Sequence, residues 1–456
     1  MPAGGGLLQL VAVGKQDMFL TGNPQISFFK MVYRRHTNFA TESQPMYFDG
    51  TPNFGQRVTC LIPRRGDLLG RVYLDVTLPQ IYDTSGNRLS YTNAIGHALI
   101  QEITFEVGEQ EIDRQTGEWM EIWTQLTTPP GQRAALNEMI GRIEPYNVVD
   151  LHPGINPTGG QQSDGLHLLI PLQFYFCRNP GLYLPLLALQ YSPVRINITL
   201  RPLQQLFWVP PPTPYPTDQP WMPACSTQVS CTTPIVNMML WGDYVYLDVE
   251  ERRKFVSASH EYIIEQVQYT PPYSITAQQT TATIPVEFNH PIKEFIFVAQ
   301  RDAMSQRNEW FNYSNLGIGE VTPTLVSPYV NSNAPAGRLD LISLARLQLD
   351  GYDRFVDRIP QYFRLEQPYE HHTTTPVSSF LYNYSFALRP EDAQPTGTMN
   401  ASRIDSIVWQ IQMNAALSNP LIPAWQQRGN CHIVVYAHNY NVFRVINGFG
   451  GLLFTI

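Results

Sequence analysis

Few residues in this chain have both the type and the spacing that chemistry needs. His371 and His372 are the most tempting metal ligands, but adjacent side chains on an extended chain point to opposite faces and rarely reach one ion. The cupin pattern, two histidines one residue apart with a glutamate and a distant histidine, does not occur. Glu118 with Glu121, and Asp353 with Asp357, could pair as general acid and base, yet helix and strand surfaces scatter such pairs routinely. There is no glycine-rich phosphate loop, nucleophile elbow or Walker pattern, and Gly448-Phe449-Gly450-Gly451 reads as a flexible tail rather than a nucleotide cradle. The expectation is therefore no catalytic residue, no metal ligand, no cofactor and no enzymatic turnover.

Covalent chemistry is equally sparse. Cys60, Cys177, Cys225, Cys231 and Cys431 are odd in number and scattered, with no CxxC. Cys225 and Cys231 share a proline-rich loop and are near enough in sequence to pair, but free thiols in a reducing compartment are the expected state. Four glycosylation sequons begin at Asn197, Asn312, Asn383 and Asn400; two lie in expected strands, and Asn312, in an expected loop, is the one reasonable candidate for modification. The net charge of -8 argues against nucleic acid as a direct partner. No run of about eighteen apolar residues is present, so no transmembrane helix is expected. Residues 1–20 lack the basic start and long apolar region of a signal peptide, which makes a non-secreted protein the default.

The rest of the chain must therefore be read as architecture. At 456 residues, 12 % of them aromatic and 38 of them proline, it exceeds the usual size of one core and favours strands and turns. Residues 71–78 alternate Val72, Leu74, Val76 and Leu78 against Tyr73, Asp75 and Thr77, the period of a half-buried strand. Eight strands are expected in a first copy, at 30–47, 57–62, 71–78, 100–107, 109–114, 168–177, 194–200 and 236–249. A short helix is expected at 21–30, with Asn23 as cap and Pro24 at its first position, and residues 127–164 read as a loop-rich insertion. Asp248, with Glu251 three residues on, should cap a helix at 250–257 linking two β-domains.

A weak but ordered repeat follows. FEVGEQEIDR matches LQLDGYDRFVDR, LQFYFCRNP matches YNYSFALRP, SPVRINITL matches NASRIDSIVWQI, and YVYLDV matches IVVYAHNYNV. The expected second copy has strands at 260–268, 283–288, 295–298, 347–350, 355–358, 380–388, 407–413 and 433–440. The fold class is thus all-β, two consecutive eight-stranded jelly rolls with long loops at one end. The expected organisation is an N-terminal arm with short helix at 1–29, jelly roll 1 at 30–249, helical linker at 250–259, jelly roll 2 at 260–447 and C-terminal tail at 448–456.

Several stretches carry a resemblance. They are GGLLQLVAVGKQDMFLTGNPQISFFKMVYRRHTNFATES at 5–43, DYVYLDVEERRKFVSASHEYIIEQ at 243–266, LDGYDRFVDRIPQYFRLEQPYEHHTTTP at 349–376, YSFALRPEDAQPTGTMNASRID at 384–405 and VVYAHNYNVFRVINGFGGL at 434–452. From end to end the chain resembles the major capsid proteins of nucleocytoplasmic large DNA viruses. Ala401 departs from the aromatic expected there, without consequence for function. The resemblance implies a double jelly-roll subunit that forms homotrimeric pseudo-hexagonal capsomers in an icosahedral shell over an internal membrane. Implied partners are neighbouring capsomers, minor capsid or cement proteins, and the internal membrane surface, with assembly in the infected host's cytoplasm. The jelly roll also serves lectins and glycosidases, so a carbohydrate-binding surface protein is the alternative.

Strand parity predicts orientation. Successive connections alternate between the two ends of a jelly roll. In the first copy the connections at 79–99, 115–167 and 201–235 are long and share one parity, as does 301–344 in the second. These should gather at one end, with the linker and both termini at the other.

Overall fold

The computed structural model describes residues 5–81, 90–142, 166–208, 234–317, 339–418 and 427–455. The proline-rich stretch 209–223, Cys225, Cys231 and parts of the insertions at 127–164 and 301–344 lie outside the described residues.

The chain up to Phe39 is a unit of its own. It holds α1 (Gly5–Val11) and α2 (Asp17–Thr21), with no buried residue in either. The helix expected at 21–30 does not form. Asn23 takes a φ of 50°, a left-handed conformation unlike the extended backbone of an N-cap. Nor is 30–38 strand, since pairing begins only at Phe39.

From Ala40 onward the sheets carry the fold. Strands β1 (Phe39–Met46), β2 (Arg57–Leu61), β3 (Leu68–Leu78), β4 (Ser90–Tyr91), β5 (Ile100–Val107), β6 (Gln110–Thr116), β7 (Leu166–Pro171), β8 (Val194–Leu200), β9 (Phe207–Trp208) and β10 (Asn237–Leu247) form the first set. Two sheets, ordered β1-β10-β3-β7 and β2-β8-β5-β6, enclose its core. The second set has β11 (His260–Tyr269), β12 (Tyr273–Ile275), β13 (Thr281–Val286), β14 (Pro291–Arg301), β15 (Ile342–Leu349), β16 (Tyr352–Asp353), β17 (Tyr382–Ser385), β18 (Met399–Asn400), β19 (Ile407–Met413), β20 (Cys431–Ile446) and β21 (Phe449–Leu452). Its sheets run β11-β20-β14-β17 and β13-β19-β15-β16. Counting the eight main strands of each set, both follow the order 1-8-3-6 and 2-7-4-5, which is a jelly roll made twice. The expected alternation of β3 holds: Val72, Leu74, Val76 and Leu78 are buried and Tyr73, Asp75 and Thr77 partly exposed. In the second roll the turn from β15 to β16 places Asp350 and Gly351 at φ 50° and 80°, the double positive φ of a tight hairpin.

The remaining helices are α3 (Ile95–Leu99), α4 (Gly117–Thr127), α5 (Pro130–Ile140), α6 (Tyr175–Arg178), α7 (Val249–Ser257), α8 (Asp302–Gln306) and α9 (Gln367–His371). Three of these helices, and two strands after them, correct or refine the expectations. The prolines and glycine that read as loop at 127–164 are the punctuation of α5: Pro130 sits at its start and Gly141 ends it with a φ of 68°. The strand expected at 168–177 stops at Pro171, because Phe174, Tyr175 and Phe176 are all buried against Phe105 and an alternating strand cannot bury three neighbours on one side. Asp248 does cap α7, but through the N–H of Val249 at 2.8 Å rather than that of Glu251. The strand expected at 355–358 is reduced to β16 plus a single bridge between Ala345 and Arg358. The tail is not flexible: β21 pairs with β20, from Ile446 opposite Phe449 to Phe443 opposite Leu452.

Hydrogen bonds bear out the parity argument for the rolls. Among the long connections β4 pairs with β9. Asn308 Nδ2 donates to the carbonyls of Gln204 and Phe207 at 2.9 and 2.7 Å, and its own carbonyl accepts from Thr92 Oγ1 at 2.6 Å. Thr374 N donates to Leu126 O at 2.9 Å. The opposite end collects the short connections, the linker and β21. Arg252 of α7 lies 3.1 Å from Asp67, Tyr191 N donates to Gly448 O at 2.9 Å, and Leu452 N donates to Gln110 Oε1 at 2.9 Å. A Cβ on Gly450 would stand 2.4 Å from a methyl of Leu189 in the first roll, so a larger residue there would have to push that side chain aside.

Candidate functional site

A cluster of buried charge lies where the two rolls meet, and α4 makes the meeting possible. Thr116 caps it, accepting from Trp119 N at 3.2 Å. Trp119, Ile122, Trp123 and Leu126 then recur at helical spacing and form one apolar stripe. That stripe lies on Val267 of β11, Ile296 and Val298 of β14, and Tyr436 of β20, with Tyr313, Phe380 and Leu381 at its side.

Beside the stripe is a polar cluster created by an irregularity in β14. The register of β14 on β20 slips between Ile292 and Glu294. Past the slip, Phe295, Phe297 and Ala299 face the core of the second roll, while Ile296 and Val298 face the seam. The extra residue lets Lys293 and Glu294, neighbours in sequence, both point to the seam side. Lys293 Nζ donates to Glu265 Oε1 and rests 4.7 Å from the ring of Tyr440. Arg178, from α6 of the first roll, donates to Glu265 Oε2 at 2.9 Å and stacks 4.3 Å over Trp123. His438 lies 3.5 Å from Glu265 and 3.3 Å from Glu294. His372 bridges Glu294 and Glu391, each at 2.8 Å, and Asn383 donates to Glu294 at 3.0 Å.

Burial alone would neutralise these groups. It works to raise Glu265, but His438, Lys293 and Arg178 outweigh it and hold the carboxyl well below its usual range. Burial also works against charge on Glu294, and His372 and His438 overcome it in the same way. For His372, burial opposes the cation, yet Glu294 and Glu391 raise its pKa to about 9. Burial draws the Lys293 ammonium below its ordinary value although Glu265 and Glu294 favour its charge. One more carboxyl crosses the seam. Asp113 of β6 accepts from Val267 N of β11 at 3.1 Å, and burial raises it to about 6 against the pull of Gln115, that N–H and Arg178.

This arrangement joins two domains. No three His, Cys, Asp or Glu side chains among the described residues could hold one metal ion. The tempting histidines diverge: His371 turns to Leu388 O at 3.0 Å while His372 enters the cluster. Glu118 pairs with Arg201, whereas Glu121 accepts from Gln125 and contacts His97, each at 2.7 Å. Asp353 and Asp357 both stand 3.7 Å from Arg346. Asn312, the expected modification site, is buried and donates to Glu309 at 2.6 Å and Leu316 O at 2.8 Å, so the folded chain does not present it to a transferase. Asn197 and Asn383 are buried too; Asn400 is the exposed sequon. Cys60, Cys177 and Cys431 are free, and burial raises their thiols to about 12, 12 and 11, which leaves them unreactive.

The sequence reading missed Arg178, Glu265, Lys293, Glu294 and His438. One signal was available. The chain has four lysines, and Lys293-Glu294 is a charged pair inside an otherwise apolar strand, a pattern only a bulge or a buried ion network accommodates.

Comparison with known proteins follows the same two-part division. The family described as "Major capsid protein N-terminus" matches residues 27–248, and "Large eukaryotic DNA virus major capsid protein" matches residues 251–451. The chain belongs to the major capsid proteins of large eukaryotic DNA viruses. It is 37 % identical to the major capsid protein of Pyramimonas orientalis virus over 99 % of this chain and 100 % of that one. It is 34 % identical to that of Paramecium bursaria Chlorella virus 1 over 99 % of each. A solved structure of the PBCV-1 virus capsid superposes with a TM-score of 0.73 at 29 % identity, covering 94 % of this chain and 100 % of that one. The Faustovirus major capsid protein shares the fold at a TM-score of 0.70 and 12 % identity, over 95 % and 94 % of the two chains. This capsid protein is therefore a structural component of a virion shell and not an enzyme. Family membership decides for the shell over the carbohydrate-binding alternative.

Proposed function

We propose that this major capsid protein forms a closed homotrimer, a pseudo-hexagonal capsomer of an icosahedral shell assembled in the host cytoplasm over an internal membrane. Within that reading the two rolls are 30–249 and 260–447, joined by the linker at 250–259. The observation that carries it is the seam. Arg178, Trp123 and Asp113 of the first roll engage Glu265, His438 and Val267 of the second, and the long connections of both rolls meet at one end. Two similar lobes standing side by side and parallel become six under a threefold axis, and six lobes tile a hexagonal lattice. An obligate trimer of this kind buries more than about 2,000 Å². The long connections face outward, since loops tolerate change and meet the exterior. The apolar ends of the chain face minor capsid or cement proteins and the membrane.

Sedimentation of the purified chain tests this: the expected mass is three times 51.9 kDa. A folded monomer at micromolar concentration refutes it. For orientation, limited proteolysis of intact particles should cut 209–223 or 301–344 before 1–20; early cuts within 1–20 on closed particles invert the assignment.

A further inference from the structure

The N-terminal unit differs in charge from everything that follows it. Residues 1–39 carry Lys15, Lys30, Arg34 and Arg35 against Asp17 alone, a net charge of +3 in a chain of -8, which leaves -11 for the remainder. The cations are not spread evenly. Lys30, Arg34, Arg35 and His36 interleave with Ile26, Phe28, Phe29, Met31, Val32 and Tyr33. The apolar members are solvent-facing: Phe28 is 90 % exposed, Phe29 100 % and Tyr33 81 %. Upstream, α1 presents Leu7, Leu8, Leu10 and Val11 without a charged residue, and none of its side chains is buried.

We propose that residues 26–36 bind the surface of an anionic lipid bilayer. Aromatic and aliphatic side chains enter the boundary between headgroups and acyl chains, while the cations stay with the headgroup phosphates and carboxylates. Each Lys or Arg near such a surface gains from its negative potential, and Phe and Tyr supply the area that leaves water. Nucleic acid is the other polyanion. It would use the cations but has no place for six large apolar residues or for the uncharged aliphatic helix upstream, whereas a bilayer takes both. The inference rests on the reading of this chain as a shell subunit over a membrane, and it names the segment and the lipid charge that such contact needs.

Flotation of the full chain with vesicles tests it, using phosphatidylcholine alone and phosphatidylcholine with about 30 % phosphatidylserine, at about 0.15 M and about 0.5 M salt. Binding is expected only to the anionic vesicles and should weaken at the higher salt. Arg34→Gln with Arg35→Gln should bind about thirtyfold more weakly, since each cation contributes about a factor of five. Phe28→Ser with Phe29→Ser should lose binding while the chain still sediments as the wild type does. Equal binding to neutral vesicles, wild-type binding by either double variant, or preferential retention on duplex DNA at about 0.15 M salt overturns the proposal. A trimer that ignores anionic vesicles sinks this inference alone; vesicle binding by a chain that never trimerises sinks the shell reading alone.

Discussion

Strand β14 has two faces of opposite character, and the contrast explains how one chain holds two rolls in fixed relation. Toward its own roll it presents Phe295, Phe297 and Ala299 to a dry core, where Phe297 stacks on Tyr382 at 5.1 Å and meets Trp409 at 4.9 Å. Toward the other roll it presents Ile296 and Val298 to the tryptophans of α4, then Lys293 and Glu294, which with Glu265, His372, His438 and Asn383 form the cluster that Arg178 of the first roll joins. The core face needs only volume and shape. The seam face fixes direction as well, because a charge-assisted hydrogen bond is lost with a small displacement whereas apolar contact tolerates sliding. A seam of apolar stripe plus ion network sets the angle between two domains more narrowly than either part alone.

The contrast can be broken most severely from the core. Phe297→Ala should cost about 5 kcal/mol, the upper end for a large-to-small change, because the side chain is fully enclosed by rings. Urea unfolding should show the single transition moving to lower denaturant. A variant shifted by less than about 1 kcal/mol would mean that this core is loosely packed.

Glu294→Gln attacks the other face. It leaves His372 and His438 without the carboxylate between them, at a cost of about 4 kcal/mol. Its signature differs in kind: the two rolls should begin to unfold as separate transitions, visible as a broadened or biphasic curve. A single sharp transition would show that the seam does not couple them.

Between pH 6.5 and about 8.5, below the range in which the buried thiols begin to contribute, the pH dependence should come from the seam. Folding raises His372 from 6.5 to about 9, so its contribution is complete below pH 6.5 and is lost as pH rises through about 9. The loss is about 3 kcal/mol. Glu294 shifts the other way, lowered from 4.5, so its contribution is complete above pH 4.5 and is lost as pH falls toward the folded value. Stability measured from pH 6.5 to about 8.5 should decline in the wild type and much less in His372→Gln; parallel declines would place the titrating group elsewhere. The mildest probe, Ile296→Val, should cost about 1 kcal/mol, the loss of one methylene from the apolar stripe. A larger effect would give the stripe more weight than the ions.

Much of this was legible beforehand. Alternation in 71–78 and the four-part repeat led to two jelly rolls, because a strand pairs with whatever lies beside it yet must bury every second side chain. Parity of the connections then set which loops share an end, a consequence of antiparallel order that needs no coordinates. What composition and period could not reveal was anything that depends on residues far apart meeting. Asn312 looked like loop and is buried, since its partners Glu309 and Leu316 are enclosed by the packing around them. The tail looked free and is a strand, because β20 continues to Ile446 and leaves an edge for β21. His371-His372 reads from the sequence as a tempting pair, but nothing near it announced that His372 would be a buried cation between Glu294 and Glu391. Local rules fix period, turns and topology; the charge state of a buried side chain belongs to its neighbours, and only the folded chain decides who they are.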